Sequence, residues 1–308
     1  MKVCFFGLGS IGKRHLKNLH AVCETRGLQL DVTALRVSKQ ELPIDVKTLV
    51  QKEIFHEHDL DNNYDIIFIT NPTSKHYETL YKHINISSNF FIEKPVFDKC
   101  HDLSFLKNEG LYYVACPLRY NNVVLGIKRM VDDGATPVSV RAICSSYLPD
   151  WRPNVDYRQT YSAQKELGGG VSIDLVHEMD YITNLFGIPL EVVSVAGKYS
   201  NLEINSDDLA LYILKYKDKL IEIHLDYFGR TSKREIELYC NDKKIVGDIL
   251  KNQISISSEK EPMVFSEQPN DKYIREIEYF LDCIKSRIKT NNEVSNAQKI
   301  LKLARQEY

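Results

Sequence analysis

The sequence predicts an α/β protein with two domains: an N-terminal doubly wound parallel sheet and a C-terminal α+β domain with a largely antiparallel open sheet. Two observations predict this fold class. In the first part of the chain, short apolar runs alternate with helical patterns, which implies parallel strands joined by right-handed crossovers. In the later part, several strand-like runs alternate polar and apolar residues, which favours antiparallel strands with one face in water.

The parallel sheet is predicted from five short apolar runs. Helical patterns over Ile11–Val22 and His76–Ile84 follow the first and the third of them. The predicted strands are Val3–Phe6, Val32–Arg36, Asp65–Thr70, Phe90–Ile92 and Tyr112–Cys116. The pattern changes after these strands, and the length of the chain suggests two domains. We therefore place a dinucleotide-binding domain at residues 1–118 and a substrate-binding and oligomerisation domain at residues 119–308.

The second domain begins with a predicted helix at Asn122–Asp132 and contains another at Val171–Phe186. From Lys272 onwards the pattern is helical again. The predicted strands are Val138–Tyr147, Glu191–Tyr199, Leu209–Tyr216, Lys219–Tyr227, Arg234–Cys240 and Lys244–Asp248.

Composition argues against several classes of function. A net charge of −2 creates no strong field for nucleic acid or an acidic membrane surface. No stretch of about 18 apolar residues predicts a membrane span. The seven cysteines include no C-x-x-C pair, which is typical of a reduced, cytoplasmic chain. His56 and His58 lie in a polar stretch that suits a solvated loop better than a metal site, so we expect no metal.

A glycine-rich turn joins the first predicted strand to the first predicted helix: Gly7-Leu8-Gly9-Ser10-Ile11-Gly12. In such a turn the first glycine permits a tight bend, the second lets a pyrophosphate approach the backbone, and the third lets the helix pack on the sheet. The helix N-terminus then presents N–H groups to the phosphates. Its placement predicts a Rossmann domain with a dinucleotide at this turn; a glycine turn without a ligand is the alternative.

The end of the second predicted strand distinguishes NAD from NADP. An acidic residue there would bind the ribose 2′-hydroxyl of NAD, but Asp31 comes too early in the chain to do so. Arg36, Ser38 and Lys39 occupy this position instead and would surround a 2′-phosphate. NADP is therefore the preferred prediction and NAD the alternative. A basic surface turn is the other interpretation of these residues.

Polar residues follow the third predicted strand, at the sheet edge where doubly wound folds bind ligands. The backbone of Thr70, Asn71 and Pro72 would border the nicotinamide ribose. The same residues also suit an ordinary helix N-terminal turn, with Thr73 or Ser74 as the cap. Both interpretations can hold together.

Four motifs in order make the chain resemble the Gfo/Idh/MocA oxidoreductases. They are the turn with its tail, GLGSIGKRH; Thr70-Asn71-Pro72 with His76; Glu93-Lys94-Pro95; and Gly168-Gly169-Gly170 with Asp174 and His177. The run from Trp151 to the glycines resembles a branch common in bacterial surface-polysaccharide and nonulosonic-acid gene clusters. The resemblance implies a Rossmann domain, a second domain whose open sheet often builds oligomers, and redox chemistry on sugars and related compounds.

The resemblance implies that Lys94 projects into the cleft beside the nicotinamide. A lysine there would hydrogen-bond the substrate oxygen and stabilise the charge that develops on it. The resemblance also places His76 and Glu93 at the cofactor site, with Glu93 supporting Lys94 or contacting the ribose. A surface Glu-Lys pair is the alternative, although an apolar strand runs directly into it.

Asp174 and His177 are predicted on one helix, where positions three apart share a face. Oxidation of a CH–OH group releases a hydroxyl proton, so the site needs a base, and histidine suits that role near neutral pH. Asp174 would orient the imidazole or bind a neighbouring hydroxyl. The family usually spaces this pair one residue further apart, which leaves the roles of Lys94, Asp174 and His177 open. Glu178 and Asp180 are possible substitutes, and a buried structural histidine is the alternative.

Further aromatic and basic residues are predicted to contact the substrate. Aromatic faces and hydroxyls suit sugars, and guanidinium groups suit a carboxylate or phosphate. Arg119 and Tyr120 match the family's Arg-aromatic segment at the domain junction. The residues ahead of the glycines are Trp151, Arg152, Tyr157, Arg158, Tyr161 and Lys165. A loop that contacts another subunit is the alternative interpretation.

These motifs predict an NAD(P)-dependent oxidoreductase that transfers a hydride between nicotinamide and a CH–OH/C=O centre of a sugar or amino-sugar derivative. The cofactor would supply the redox chemistry, and the chain would supply orientation and proton transfer. Two alternatives are an NAD-cycling glycoside hydrolase and a non-catalytic dinucleotide-binding regulator; Lys94 and His177 argue against the regulator. We expect a homodimer or homotetramer.

Overall fold

The computed structural model describes residues 1–305, and contacts divide the chain into two compact units. The first unit comprises Met1–Pro117 with Asn270–Lys299, and the second comprises Leu118–Pro269 with the chain from Ile300. The first division lies next to the boundary expected from the sequence. Asn270–Lys299 differs from that expectation, because it groups with the first unit rather than with the second.

The secondary structure alternates strands and helices in the first unit and is dominated by strands in the second. The strands are β1 Lys2–Phe6, β2 Asp31–Leu35, β3 Lys52–Ile54, β4 Ile66–Ile69, β5 Asn89–Ile92, β6 Leu111–Val114, β7 Pro137–Tyr147, β8 Glu191–Gly197, β9 Leu209–Lys215, β10 Leu220–Asp226, β11 Phe228–Cys240, β12 Lys244–Asp248, β13 Gln253–Ile256 and β14 Met263–Val264. The α-helices are α1 Ser10–Thr25, α2 Ile44–Lys47, α3 His76–His83, α4 Asn122–Asp132, α5 Val171–Asp174, α6 His177–Phe186, α7 Asp271–Ser286 and α8 Val294–Arg305.

The first unit is built on a six-stranded sheet in the order β3-β2-β1-β4-β5-β6, with every neighbouring pair parallel. This order reverses at β1 and β4, as in a doubly wound fold. The sequence-based prediction of a parallel sheet is therefore confirmed. Strand β3 was not predicted, because its three residues, Lys-Glu-Ile, contain no apolar run.

Aromatic side chains explain why α7 belongs to the first unit. Phe280 is fully buried and lies edge-on to Phe91 at a centroid distance of 5.3 Å. Phe91 stacks on Phe68 at 4.8 Å, and Phe68 stacks on Phe5 at 4.5 Å. Fully burying an aromatic side chain stabilises a fold by roughly 1.5–3 kcal/mol. Helix α7 thus covers the parallel sheet beside α1 although it lies far from both in sequence.

The second unit is built on an eight-stranded sheet in the order β14-β13-β12-β11-β7-β10-β9-β8. All neighbouring pairs are antiparallel except β7 with β10, which are parallel. The predicted, largely antiparallel sheet is confirmed. Residues of β9 alternate between a buried face with Ala210, Tyr212 and Leu214 and an outer face with Ile213 and Lys215. Among residues 1–305, no helix has the length and apolarity that crossing a membrane requires.

Candidate active site

The glycine turn after β1 has the geometry of a phosphate cradle. Gly7 has a φ of +96°, and a β-carbon on Gly12 would lie 2.6 Å from the carbonyl oxygen of Gly7, so both positions need glycine. A β-carbon on Gly9 would meet no atom of the described residues within 4 Å, its chain neighbours aside. Within residues 1–305, no side chain caps α1. The first N–H groups of this helix therefore suit an anionic ligand.

A cavity of about 340 Å³ lies beside this turn. It is lined by Ser10, Lys13, Arg14, Lys17, Asn18 and Asn270. The three basic residues and Ser10 recur at helical spacing, so they share one face of α1. Lys17 is paired with Asp45, so the charges of Lys13 and Arg14 are the ones that favour a pyrophosphate on this face. Ser10 was predicted to bind the cofactor, whereas the three basic residues were not. Their helical spacing after the third glycine would have indicated that they lie on the same face as Ser10.

The turn after β4 packs against the glycine turn. Thr70 Oγ1 donates a hydrogen bond of 2.6 Å to the carbonyl oxygen of Gly7, and Asn71 Nδ2 donates one of 2.9 Å to Thr79 Oγ1. The other side-chain atom of Asn71, Oδ1, is buried and has no hydrogen-bond partner within the described residues. Buried acceptors normally have a donor. This acceptor lies at the sheet edge where doubly wound folds bind a dinucleotide.

His76 lies between two turns at this edge. Its Nε2 is 2.9 Å from the carbonyl oxygen of Asn71, and its Nδ1 is 3.2 Å from the carbonyl oxygens of Pro95 and Val96. Burial lowers the pKa of His76 despite these carbonyl groups. The contacts give His76 a positioning role for both turns. Direct contact of its ring with the cofactor stays a prediction.

The Glu93-Lys94-Pro95 turn follows β5, and its Lys94–Pro95 peptide bond is cis. Glu93 is buried, with Oε1 lying 2.5 Å from Nε2 of His15, and its Oε2 accepts a 3.0 Å hydrogen bond from the main-chain N–H of Lys94. Burial pushes the pKa of Glu93 upwards, but the hydrogen bond of His15 and the nearby charges of His15, Lys94 and His76 together hold that pKa below its ordinary value. Glu93 is thus a buried anion that supports the backbone of the partly exposed Lys94.

Arg36 is not arranged as the NADP prediction expects. Its Nη1 pairs with Glu53 on β3, and its Nη2 donates a 2.6 Å hydrogen bond to the carbonyl oxygen of Gln40. The side chain of Arg36 is only 9% exposed, whereas Ser38 and Lys39 are exposed. A carboxylate beside the guanidinium opposes its attraction for a phosphate. Arg36 therefore no longer supports the prediction of NADP, because it is paired with Glu53. The sequence alone did not show that Glu53 lies beside Arg36.

In the second unit, the glycines Gly168 to Gly170 lead into two helices rather than one. Helix α5 ends at Asp174 and α6 begins at His177. Between them the hydrogen bonds run from residue i+3 to residue i: Val176 to Ile173 at 3.4 Å and Glu178 to Leu175 at 3.3 Å. The predicted continuous helix is wrong at this point. Bonds between residues three apart are those of a 3₁₀ turn, which here lies between Asp174 and His177.

Two tyrosine hydroxyls hold the buried carboxylate of Asp174. Tyr227 donates to Oδ2 at 2.6 Å, and Tyr161 donates to Oδ1. Burial, and then the charge of Asp174, raise the pKa of both tyrosines, so both stay protonated donors. Tyr227 was not predicted, because it lies 53 residues from Asp174 in the chain and only the sheet brings it near. Asp174 thus fits an anchored carboxylate, and His177 at the start of α6 is partly exposed.

The acidic substitutes considered for the base are engaged in ion pairs. Glu178 is buried and accepts hydrogen bonds of 2.7 and 3.0 Å from Arg234. Asp180 accepts two hydrogen bonds of 2.8 Å from Arg119, which also donates to Asn184 at 3.1 Å. Breaking such a buried pair costs roughly 3–5 kcal/mol. Glu178 and Asp180 therefore support the fold, and the contacts of Arg119 do not support its predicted role as a substrate ligand.

The predicted substrate residues ahead of the glycines are only partly brought together. Trp151, Arg152 and Tyr157 line a common cavity, but its volume is about 10 Å³, the space of one water molecule. Arg158 pairs instead with the half-buried Asp156 and the exposed Glu203, at 2.9 and 2.8 Å. Contact of the four predicted residues with a sugar stays a prediction; they are Trp151, Arg152, Tyr157 and Arg158.

Two other predicted substrate residues lie elsewhere in the second unit. Tyr120 is buried, so its side chain belongs to the core. Lys165 lines a separate cavity of about 600 Å³ next to Gly168 and Gly169, together with Asn205 and Asp207.

In the part of the chain that the structure describes, no group of three or more histidine, cysteine or acidic side chains is arranged to hold a metal ion.

A glycine cradle, an uncapped helix N-terminus and a basic cavity at the carboxyl edge of a doubly wound sheet define a dinucleotide-binding protein of the Rossmann type. The chain belongs to the Gfo/Idh/MocA oxidoreductase family. A family model described as an oxidoreductase family with an NAD-binding Rossmann fold matches residues 1–109, and one described as the GFO/IDH/MocA C-terminal domain matches residues 124–246. The resemblance seen in the sequence and the prediction of an oxidoreductase that uses a nicotinamide dinucleotide are thereby confirmed.

One curated relative is a 2,7-anhydro-N-acetylneuraminate hydratase from Escherichia coli (strain K12). It is 24% identical over 161 residues, which cover 49% of this chain and 42% of that protein. The match thus spans less than half the length of the relative.

Solved structures extend the comparison of the fold over nearly the whole chain. A UDP-N-acetylglucosamine 3-dehydrogenase from Acidithiobacillus ferrooxidans has a TM-score of 0.78 at 18% identity and covers 99% of this chain and 96% of its own. A levoglucosan dehydrogenase solved with NADH and levoglucosan has a TM-score of 0.85 at 15% identity and covers 99% of this chain and 95% of its own. These similarities establish the shared fold.

Proposed function

We propose that this chain transfers a hydride between NAD(H) and a CH–OH/C=O centre of a sugar or amino-sugar derivative. The observation that carries the proposal is the linkage in the first unit of the glycine cradle to the Lys94 turn. Thr70 donates a hydrogen bond to the cradle at Gly7, and the ring of His76 lies between the carbonyl oxygens of Asn71 and Pro95. Three similar proteins are named for UDP-N-acetylglucosamine, levoglucosan and 2,7-anhydro-N-acetylneuraminate. These names support a sugar-like substrate.

The residues of the chain would divide the work as follows. When bound, the nicotinamide supplies the hydride chemistry. Lys94 holds the substrate oxygen and stabilises charge on it. His177 takes the hydroxyl proton during oxidation and returns it during reduction. Asp174, held by Tyr161 and Tyr227, would orient the imidazole of His177 or bind a neighbouring hydroxyl.

The domains take separate parts in this proposal. Residues 1–118 would bind the dinucleotide, and residues 119–308 would supply the substrate site and the oligomer contacts. Helix α7 packs with the dinucleotide unit and is an exception to that division.

A substrate screen tests the proposal. The chain is incubated with NAD⁺ or NADH and a panel of sugars and amino-sugar derivatives, and nicotinamide absorbance is recorded. We expect turnover with at least one compound, and its loss in His177→Ala with NADH binding retained. His58→Ala is the matched control, because the side chain of His58 is 78% exposed. Undiminished turnover in His177→Ala would defeat the assignment of the base.

A reaction without net oxidation is the second candidate. The Escherichia coli relative is named a hydratase, which is an enzyme that adds or removes water without net oxidation. In that case product would form while the total amount of reduced cofactor stays constant. Product formation measured alongside nicotinamide absorbance separates the two candidates. A dinucleotide-binding regulator would give neither signal.

The cofactor choice proposed here is NAD(H). The phosphate preference expected from Arg36 has no support once Arg36 pairs with Glu53. The family description and the NADH complexes of levoglucosan dehydrogenase favour NAD(H) as well.

We also propose a homodimer or homotetramer formed through the outer face of the eight-stranded sheet. That face exposes Val193, Val195 and Ile213 by 60%, 51% and 43%. Val193 lies opposite Ile213 in the antiparallel pair β8–β9, and Val195 lies two residues further along β8 on the same face. Contiguous exposed apolar surface is typical of interaction sites. Light scattering on the purified chain tests the subunit number, and a monomer would contradict the proposal.

A reducing, cytoplasmic compartment fits the cysteines. All seven are thiols rather than disulfides in the structure, and five of them are buried. Thiol titration of the freshly purified chain tests this, and a disulfide would contradict it.

A further inference from the structure

We propose that Glu53 sets the cofactor selectivity of this chain for NAD(H) over NADP(H), by neutralising Arg36 where the adenosine ribose binds. This inference rests on the proposed function, because it concerns the cofactor of the same site. It assigns the selectivity to a residue of β3 rather than to the end of β2.

The main chain places the pair at the ribose position. Arg36 directly follows β2, and its main-chain N–H donates a 2.9 Å hydrogen bond to the carbonyl oxygen of Ile54. The end of β2 is held to the glycine turn, because Gly7 N–H donates to Leu35 at 3.0 Å. In doubly wound folds the adenosine ribose binds at the end of the second strand, beside the glycine turn.

Both ends of the Arg36 fork are engaged. Nη1 pairs with Glu53, and Nη2 donates to the carbonyl oxygen of Gln40 at 2.6 Å. A 2′-phosphate would have to replace these partners and would meet the carboxylate of Glu53. Its charge of about −2 would be repelled by that carboxylate.

A ribose 2′-hydroxyl meets the opposite situation. Glu53 is 26% exposed, so its carboxylate is partly open to a ligand. A carboxylate accepts a hydrogen bond from a hydroxyl group, and this interaction with the ribose 2′-hydroxyl selects NAD in this fold. Glu53 thus supplies the acidic group that the end of β2 lacks, and Arg36 holds it in place.

Cofactor binding by a charge-removal variant tests the inference. Dissociation constants of NADH and NADPH are measured by fluorescence titration for the native chain and for Glu53→Gln. We expect the native chain to prefer NADH by at least about tenfold, and Glu53→Gln to bind NADPH at least about tenfold more tightly than the native chain does. Glu53→Ala is a second variant with the same expected gain.

Two controls separate the role of Glu53 from a general change in charge. Glu41→Gln removes the same charge from an exposed carboxylate paired with Lys47, one residue after Gln40, and should leave both affinities unchanged. The double variant Arg36→Gln/Glu53→Gln should lose the gain for NADPH, because the cation that Glu53 neutralises is gone.

The possible failures are distinguishable. A native chain that binds neither NADH nor NADPH would overturn the proposed function. A native chain that binds NADH, together with Glu53 variants whose NADPH affinity is unchanged, would overturn the role of Glu53 alone. A native preference for NADPH would overturn that role as well. Thermal unfolding of each variant shows whether it retains the native fold.

Discussion

His15 and Glu93 form a buried pair, with Nε2 of the imidazole 2.5 Å from Oε1 of the carboxylate. His15 lies on α1 just after the glycine turn, and Glu93 directly follows β5. The pair therefore joins the cradle to the turn that carries Lys94. A carboxylate in this position holds the backbone of Lys94 through its second oxygen.

This pair predicts a specific pH dependence of stability. Because the folded pKa of Glu93 lies below its ordinary value of 4.5, its ionised form stabilises the fold above that value. The contribution is lost as the pH falls through the folded pKa. We expect Glu93→Gln to lower the free energy of unfolding near neutral pH by roughly 3–5 kcal/mol. Urea denaturation of both proteins across the acid range measures this.

The acid range gives the sharper result. The stability difference between the native chain and Glu93→Gln should shrink as the pH falls below 4.5, because the native carboxylate then becomes protonated. Glu109→Gln, at an exposed position, should leave the profile unchanged. A difference that does not vary with pH would contradict the prediction.

The glycine turn predicts opposite outcomes for two similar substitutions. Gly9→Ala adds a methyl group that meets no atom of the described residues within 4 Å beyond its neighbours, so the melting temperature should stay unchanged. The same methyl group lies where a pyrophosphate would approach, so NADH affinity should fall by at least about tenfold.

Gly12→Ala is the contrasting variant. Its β-carbon would lie 2.6 Å from the carbonyl oxygen of Gly7, so we expect a lower melting temperature as well as lost binding. Calorimetry and NADH titration of both variants measure the contrast. Native NADH affinity in Gly9→Ala would show that the cofactor does not use this turn.

Replacing Lys94 is expected to remove chemistry and spare binding. Lys94→Ala should reduce kcat by about 10²–10⁴-fold, because a donor to the developing oxyanion is lost. The NADH dissociation constant should change by less than about threefold. Steady-state kinetics on the substrate found in the screen, with NADH titration, measure both. Lys99→Ala is the control, since Lys99 is exposed nearby; equal losses in the two variants would reject a special role for Lys94.

The contact between Tyr227 and Asp174 predicts a positioning effect. Tyr227→Phe removes the 2.6 Å hydrogen bond to Oδ2 of a buried carboxylate, at a cost of about 1–3 kcal/mol. We expect kcat to fall more than KM rises, and NADH affinity to stay native, because the cradle is untouched. Tyr199→Phe makes the same chemical change at a 60% exposed tyrosine and should have no effect. Lower stability of Tyr227→Phe with unchanged kcat would make Tyr227 purely structural.

Local patterns made much of the fold predictable from the sequence. The strands β1, β2, β4, β5 and β6 consist mostly of apolar residues and are largely buried in a parallel sheet. The glycine turn was equally predictable, since its function depends on the conformation of a few consecutive residues. Both features depend on neighbours in the chain, so the order of residues contains the information.

Three other features of the fold were not predictable from local patterns. The break between α5 and α6 leaves a nearly continuous helical pattern, because a 3₁₀ turn changes only the hydrogen-bond register. Strand β3 is too short and polar to show a pattern. The assignment of α7 to the first unit depends on Phe280 reaching an aromatic cluster built by other strands.

The sequence by itself determined the dinucleotide turn, the two kinds of sheet and the family to which the chain belongs. Only the tertiary structure decided the state of the side chains: Arg36 neutralised by Glu53, Glu93 paired with His15, and Asp174 held by Tyr227. The physical reason is that charge and hydrogen bonding act over a few ångströms in space, while the partners lie 17, 78 and 53 residues apart in the chain.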